Sequence, residues 1–226
     1  MTIPRIRLVP AVVLLWVGSF WCSAFSETIP LPEHPRPDFE RQGWQNLNGP
    51  WQFQFDKEDA GLGAKWFEQK DKRFDQNIIV PFPWGSPLSQ VEDKSPIAWY
   101  ARSLRLPDGW EQQRVFLVIG ACDWETQAWL DGHPLGKHQG GYVPFEFELT
   151  GLLTPGQDHR LVLRVDDATR AFKLEGKQGY GNARGIWQTV YLESRPQRFL
   201  RQVHFLPDID SGKVTIRAML DAAASA

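Results

Sequence analysis

From Gln42 to Leu192 the chain is divided by Gly, Pro and Asp into short runs that are either wholly apolar or alternate apolar with polar residues. None of them repeats apolar residues every three or four positions between helix caps. Two-residue alternation puts successive side chains on opposite faces of a strand, so this pattern predicts antiparallel β-structure. The strands expected are Trp51–Phe55, Asn77–Val80, Trp99–Leu106, Arg114–Ile119, Thr126–Leu130, Phe145–Leu149, Arg160–Val165 and Ile186–Leu192. Asp131-Gly132 is the sharpest local signal, a two-residue turn joining Thr126–Leu130 to Pro134–Gly136 as a hairpin. Many short strands joined by tight turns form two packed sheets, so the expected architecture is all-β, a sandwich or jelly roll over residues 42–195.

Composition narrows the partners. The net charge is −2 and the basic residues are scattered, which leaves no electrostatic footprint for a phosphate backbone and excludes nucleic acid as the expected partner. Trp is unusually frequent, at 11 residues, and suits both thick β-cores and sugar-stacking platforms. Trp51, Trp99, Trp129 and Trp187 fall in predicted strands and are expected in the core. Trp187 in particular lies in a run without charge until Glu193, which places its strand deep in the sandwich.

The ends read differently. Arg5 and Arg7 precede an apolar run from Val9 to Val17, and Ala24-Phe25-Ser26 offers small residues for cleavage, so residues 1–26 are expected to be a secretory signal. Export to the periplasm or the extracellular space follows, with no membrane association after cleavage. Only Cys122 would then remain, so an intramolecular disulfide is not expected. Residues 27–41, with Pro30, Pro32, Pro35 and Pro37, read as an extended leader. After Pro196, Leu200–Leu206 and Val214–Leu220 flank the Asp- and Gly-rich turn Pro207–Gly212 as a second hairpin, over residues 196–226. Two strands do not hold a core of their own.

No constellation for catalysis or metal binding stands out. Asp123 and Glu125 flank Trp124 at a strand corner and Asp166-Asp167 end another strand, where acids commonly cap and solvate turns. The His residues at 34, 133, 138, 159 and 204 lack ligand spacing, and Ser86, Ser89 and Ser95 have no His-Asp pattern nearby. No cofactor, metal or catalytic residue is expected.

Three blocks carry a resemblance. The first is Ile97-Ala98-Trp99-Tyr100-Ala101-Arg102. The second runs from Arg114 through Gly120-Ala121-Cys122-Asp123-Trp124 and Ala128-Trp129-Leu130-Asp131-Gly132 to Gly140-Gly141-Tyr142-Val143-Pro144-Phe145. The third is Gly176-Lys177-Gln178 followed by Gly185-Ile186-Trp187-Gln188-Thr189-Val190-Tyr191-Leu192-Glu193. In this order they resemble the N-terminal sugar-binding domain of family 2 glycoside hydrolases.

The resemblance implies a galactose-binding-like jelly roll, then the first hairpin of an immunoglobulin-like domain, then a (β/α)₈ barrel bearing two catalytic glutamates. Such enzymes are retaining β-glycosidases. A barrel alone takes about 250 residues, more than this whole chain, so it is expected to be missing here and the chain to be inactive alone. The implied partners are a β-glycoside ligand and a separate or downstream barrel. In the full enzymes a loop of this domain helps frame the terminal sugar. The matching segment lies between Asp167 and Gly185, with Lys177, Gln178, Asn182 and Arg184 as sugar-binding candidates. Two positions depart from the family. Gly179 stands where some relatives carry an acid, and Pro83 precedes Trp84 where β-galactosidases tend to place Asn. A stand-alone exported carbohydrate-binding module and a structural interaction domain without sugar affinity are the alternatives.

Overall fold

The computed structural model describes residues 29–169 and 183–222; residues 1–26, where a secretory signal was expected, and most of the loop carrying Lys177, Gln178 and Asn182 lie outside the described residues. The strands are β1 (Trp44–Asn46), β2 (Gly49–Phe55), β3 (Gln76–Val80), β4 (Ile97–Leu104), β5 (Arg114–Ile119), β6 (Cys122–Asp123) and β7 (Glu125–Leu130). They continue as β8 (His133–Gln139), β9 (Phe145–Glu148), β10 (His159–Asp166), β11 (Gly185–Ile186), β12 (Val190–Arg195), β13 (Arg198–Asp208) and β14 (Lys213–Ala222).

Two sheets face each other. One has the order β1-β12-β5-β9 and the other β3-β2-β4-β10-β7-β8, all pairs antiparallel. Alternation selects the inward residues: Trp51 and Phe53 of β2, Leu117 and Ile119 of β5, Leu161 and Leu163 of β10 and Leu192 of β12 meet in one core. Burying such side chains contributes about 1.5–3 kcal/mol each, the main term against chain entropy.

The fully apolar strands have a second explanation. In β4 and β5 the outward residues are buried as well, because each sheet is covered from outside. Trp99, Trp129 and Val162 on the outer face of the larger sheet lie beneath Phe74, Trp66 and Phe67, with Phe67 stacked on Trp129 at 4.6 Å and Trp129 on Trp99 at 5.6 Å. Asp56 fastens this cover by accepting from Trp99 Nε1 at 2.9 Å and from the amides of Ala60 and Gly61. On the smaller sheet, Phe116, Val118 and Tyr191 lie under Trp44 and Phe199. Aromatic content thus goes mainly into a thick, layered interior.

The β7–β8 hairpin turns at Asp131 (φ 50°) and Gly132 (φ 86°), the positive pair that a type I′ turn requires. The last two strands form the expected second hairpin, joined to the sandwich through Phe199 and through an Arg114–Asp221 ion pair of 2.9 Å.

One expectation is corrected. Ile186–Leu192 is not one strand but β11 and β12, separated by Trp187, Gln188 and Thr189. Ile186 pairs with Cys122 in a small side ladder, and the chain then steps across to the main sheet, with Gly120 N donating to Thr189 O. Trp187 rides on that step and is half-buried rather than deep in the core. Its indole N–H finds an acceptor at the edge, Gly141 O, at 2.8 Å. Trp51, Trp99 and Trp129 are buried, as expected.

Candidate functional site

The site is built where the loop between Asp167 and Gly185 rejoins the sandwich. Its returning end is held by an isolated antiparallel bridge between Arg184 and Trp84, with Trp84 N donating to Arg184 O at 3.2 Å. Trp84 is itself fixed: it is 1% exposed, and its ring packs against Phe53 at 5.7 Å and Tyr100 at 6.2 Å. The next residue has to be glycine. Gly185 sits at φ +80°, and a Cβ there would lie 2.3 Å from the Tyr100 hydroxyl and 2.4 Å from the Trp84 ring.

Arg184 is the one sequence-predicted site residue within the described part of the chain. Its guanidinium reaches Asp93 at 3.1 Å and Asp167, whose side chain is fully buried, at 3.3 Å. It therefore ties three segments together: the turn after Trp84, the end of β10 and the start of β11. Asp167 is anchored separately by its amide, which donates to Pro96 O at 2.8 Å. Asp93 was not singled out by sequence reasoning, because a lone acid in a polar loop gives no signal of a partner 91 residues away.

Beside this anchor, β6 pairs with β11, and the Gly140–Gly141 turn brings Tyr142 against Trp187 at 5.9 Å, edge to face. Tyr142 is 65% exposed, so an aromatic edge stands at this end of the sandwich. Sequence reasoning placed Trp187 in the core and did not single out this pair; the two adjacent glycines before Tyr142 were the available sign of an exposed turn.

The titratable groups here are structural. Burial works to raise the Glu125 carboxyl, but hydrogen bonds from Lys137, Gln139 and Gln127 outweigh it and hold the group at about 2. A carboxylate so firmly ionised does not serve as a general acid near neutral pH. Burial pushes the Cys122 thiol up to about 12 and the Tyr100 phenol well above its usual value, which leaves both protonated and unreactive. Among the described residues no group of three His, Cys, Asp or Glu side chains is placed to hold a metal ion.

The comparisons with known proteins agree with this architecture. Residues 44–196 match the family described as glycosyl hydrolases family 2, sugar binding domain. A β-glucuronidase of Paenibacillus borealis is 28% identical over 127 residues, covering 54% of this chain and 21% of that protein. A β-galactosidase of Klebsiella pneumoniae is 25% identical over 203 residues, covering 80% of this chain and 19% of its own length. Among solved structures, a β-glucuronidase from an uncultured Clostridium species superposes with a TM-score of 0.67 at 24% identity, covering 82% of this chain and 35% of that one. The β-glucuronidase of Ruminococcus gnavus in complex with D-glucuronic acid gives the same TM-score at 19% identity, over 80% of this chain and 35% of its own. This chain spans about a fifth of the length of the first two relatives. With the layered sandwich, the anchored loop and the family match over residues 44–196 in place, the chain belongs to the family 2 glycosyl hydrolases, as their N-terminal sugar-binding domain.

Proposed function

We propose that this domain is exported and frames the terminal sugar of a β-glycoside for a retaining glycosidase barrel that lies outside these 226 residues. The observation that supports it most is the fastening of the loop end by Arg184 to Trp84, Asp93 and Asp167, which gives a surface loop a rigid base. In this reading Lys177, Gln178 and Asn182 donate to sugar hydroxyls, and Arg184, engaged by two carboxylates, positions them. The chain supplies no nucleophile and no acid/base of its own. Retaining hydrolysis needs two carboxyls about 5–5.5 Å apart across the scissile bond, and the glutamates that fill those roles belong to the barrel.

Two measurements test this. The purified chain should release no nitrophenol from p-nitrophenyl β-D-glucuronide or β-D-galactoside, yet restore hydrolysis to a β-glucuronidase barrel stripped of its own N-terminal domain. Turnover by the chain alone, or no restoration, overturns the reading. Export predicts that the mature terminus lies near Glu27, and a soluble protein retaining Met1 refutes it.

A further inference from the structure

The second feature is the turn by which the chain crosses from β8 of the larger sheet to β9 of the smaller one. From Gly140 to Phe145 it carries no charged side chain. Among the described residues of the sandwich, Tyr142 and Val143 are the only adjacent pair of large apolar side chains each more than half exposed, at 65% and 55%. Single exposed apolar residues are ordinary on a water-facing surface, but a contiguous patch marks a contact. Trp187 extends this one, since its half-buried ring meets Tyr142 edge to face.

The backbone under the pair is fixed on both sides. The Gly140 amide donates to Trp124 O at 3.0 Å, and Gly141 O accepts from Trp187 Nε1. No side chain fits at Gly141, where a Cβ would lie 2.7 Å from the Asp123 carboxyl carbon. Beyond the pair, Phe145 enters the core and stacks on His138 at 4.0 Å. Tyr142 and Val143 thus project from a turn that has little freedom left to lose when a partner closes over them. Tyr suits such a position, because it offers a large contact area at a low cost in side-chain entropy.

Shape selects the kind of partner. A small ligand is held in a concavity that surrounds most of its surface, whereas these side chains stand out from a turn. The Tyr142 hydroxyl is the one polar side-chain group between Gly140 and Phe145. Such a knob fits an apolar hollow on another folded protein, where Tyr and Trp commonly anchor an interface. Its place says which protein. Trp187 lies three residues after Arg184, the fastened base of the loop that the proposed function directs at a barrel. The matched region is also only 35% of each of the two solved β-glucuronidases, so most of those chains lies outside it.

We propose that the Tyr142–Val143 turn, flanked by Trp187, is the surface on which a glycosidase barrel docks. This rests on the reading that the domain serves a barrel. It assigns holding to the turn and sugar contact to the loop, so the two roles fail separately.

Calorimetric titration of the full chain into a β-glucuronidase barrel stripped of its own N-terminal domain tests it. Tyr142→Ser and Val143→Asp should each weaken binding at least about 10-fold. Thermal melting confirms that both variants are folded. Leu152→Asp, at an exposed leucine past the opposite end of β9, should bind as the unmodified chain does. No binding by the unmodified chain, or equal affinity in all three variants, overturns the proposal. A self-associating chain that Tyr142→Ser renders monomeric overturns it too, by assigning the knob to a second copy. Binding through the turn with no hydrolysis restored overturns the framing role alone. Restored hydrolysis at sub-saturating chain that neither turn variant diminishes overturns the docking surface alone.

Discussion

Trp84 and Arg184, 100 positions apart, meet in a single backbone bridge, and this contact holds one end of the Asp167–Gly185 loop. Removing the guanidinium leaves that bridge but takes a charged partner from the fully buried Asp167 carboxylate. Arg184→Ala should therefore cost about 1–3 kcal/mol in urea unfolding with an unchanged slope. A loss below about 0.5 kcal/mol, the scale of an ordinary surface change, would show that the ion triple is not an anchor.

Trp99 and Trp187 should separate cleanly. Trp99 is fully buried, stacked on Trp129 and hydrogen-bonded to Asp56, so Trp99→Ala should cost about 3–5 kcal/mol and leave little folded protein. Trp187 is half-buried at an edge and its truncation should cost about 1–2 kcal/mol, through lost contact and the unpaired Gly141 carbonyl. Tryptophan fluorescence during denaturation reads both. Equal losses would mean that the step between β11 and β12 is buried after all.

Gly132 tests the hairpin without opening a cavity. At φ +86° a β-branched residue is strained, yet its Cβ would meet Glu68 only at 3.4 Å, an ordinary contact. Gly132→Val should cost about 1–2 kcal/mol by backbone strain, and Gly132→Asn, which tolerates this region, markedly less. If the two variants unfold at the same urea concentration, the turn does not hold the positive φ seen here.

Glu125 sets an acid limit. Its folded value of about 2 lies below the ordinary 4.5, so the unfolded chain binds the proton more readily. Its contribution is present above pH about 4.5 and is lost as pH falls from there toward 2. Lys137 is half-exposed, so solvent screening reduces the effect to about 1–3 kcal/mol. Glu125→Gln should lower stability at pH 7 and flatten that part of the acid slope. An unchanged acid slope would show that Lys137, Gln139 and Gln127 do not hold the carboxylate as described.

Most of the fold was legible because its signals are local. Alternation marked β2 and β10, the apolar run marked β5, and Asp131-Gly132 marked the hairpin, each within a few positions of the strands observed. What escaped depends on distant partners. Trp44–Asn46 becomes a strand because it pairs with Tyr191–Glu193, and nothing in its three residues announces this. Trp187 shares an apolar run with residues of the core, so periodicity could not reveal that the chain steps between ladders there. Arg184 was identifiable as a polar loop residue, but its engagement by Asp93 and Asp167 arises only when three loops converge. Lys177, Gln178 and Asn182 lie outside the described residues.

Phe199 lies three residues past the end of the family match, yet its ring covers Phe116, Val118 and Tyr191. A protein engineer who trims the chain at 196 to isolate the sugar-binding domain would uncover a patch of three apolar side chains on an otherwise water-compatible face. The product should self-associate in proportion to concentration, and returning only the first strand of the hairpin should suppress it. The packing of Phe199 on these rings carries the apolar interior three residues past the family match.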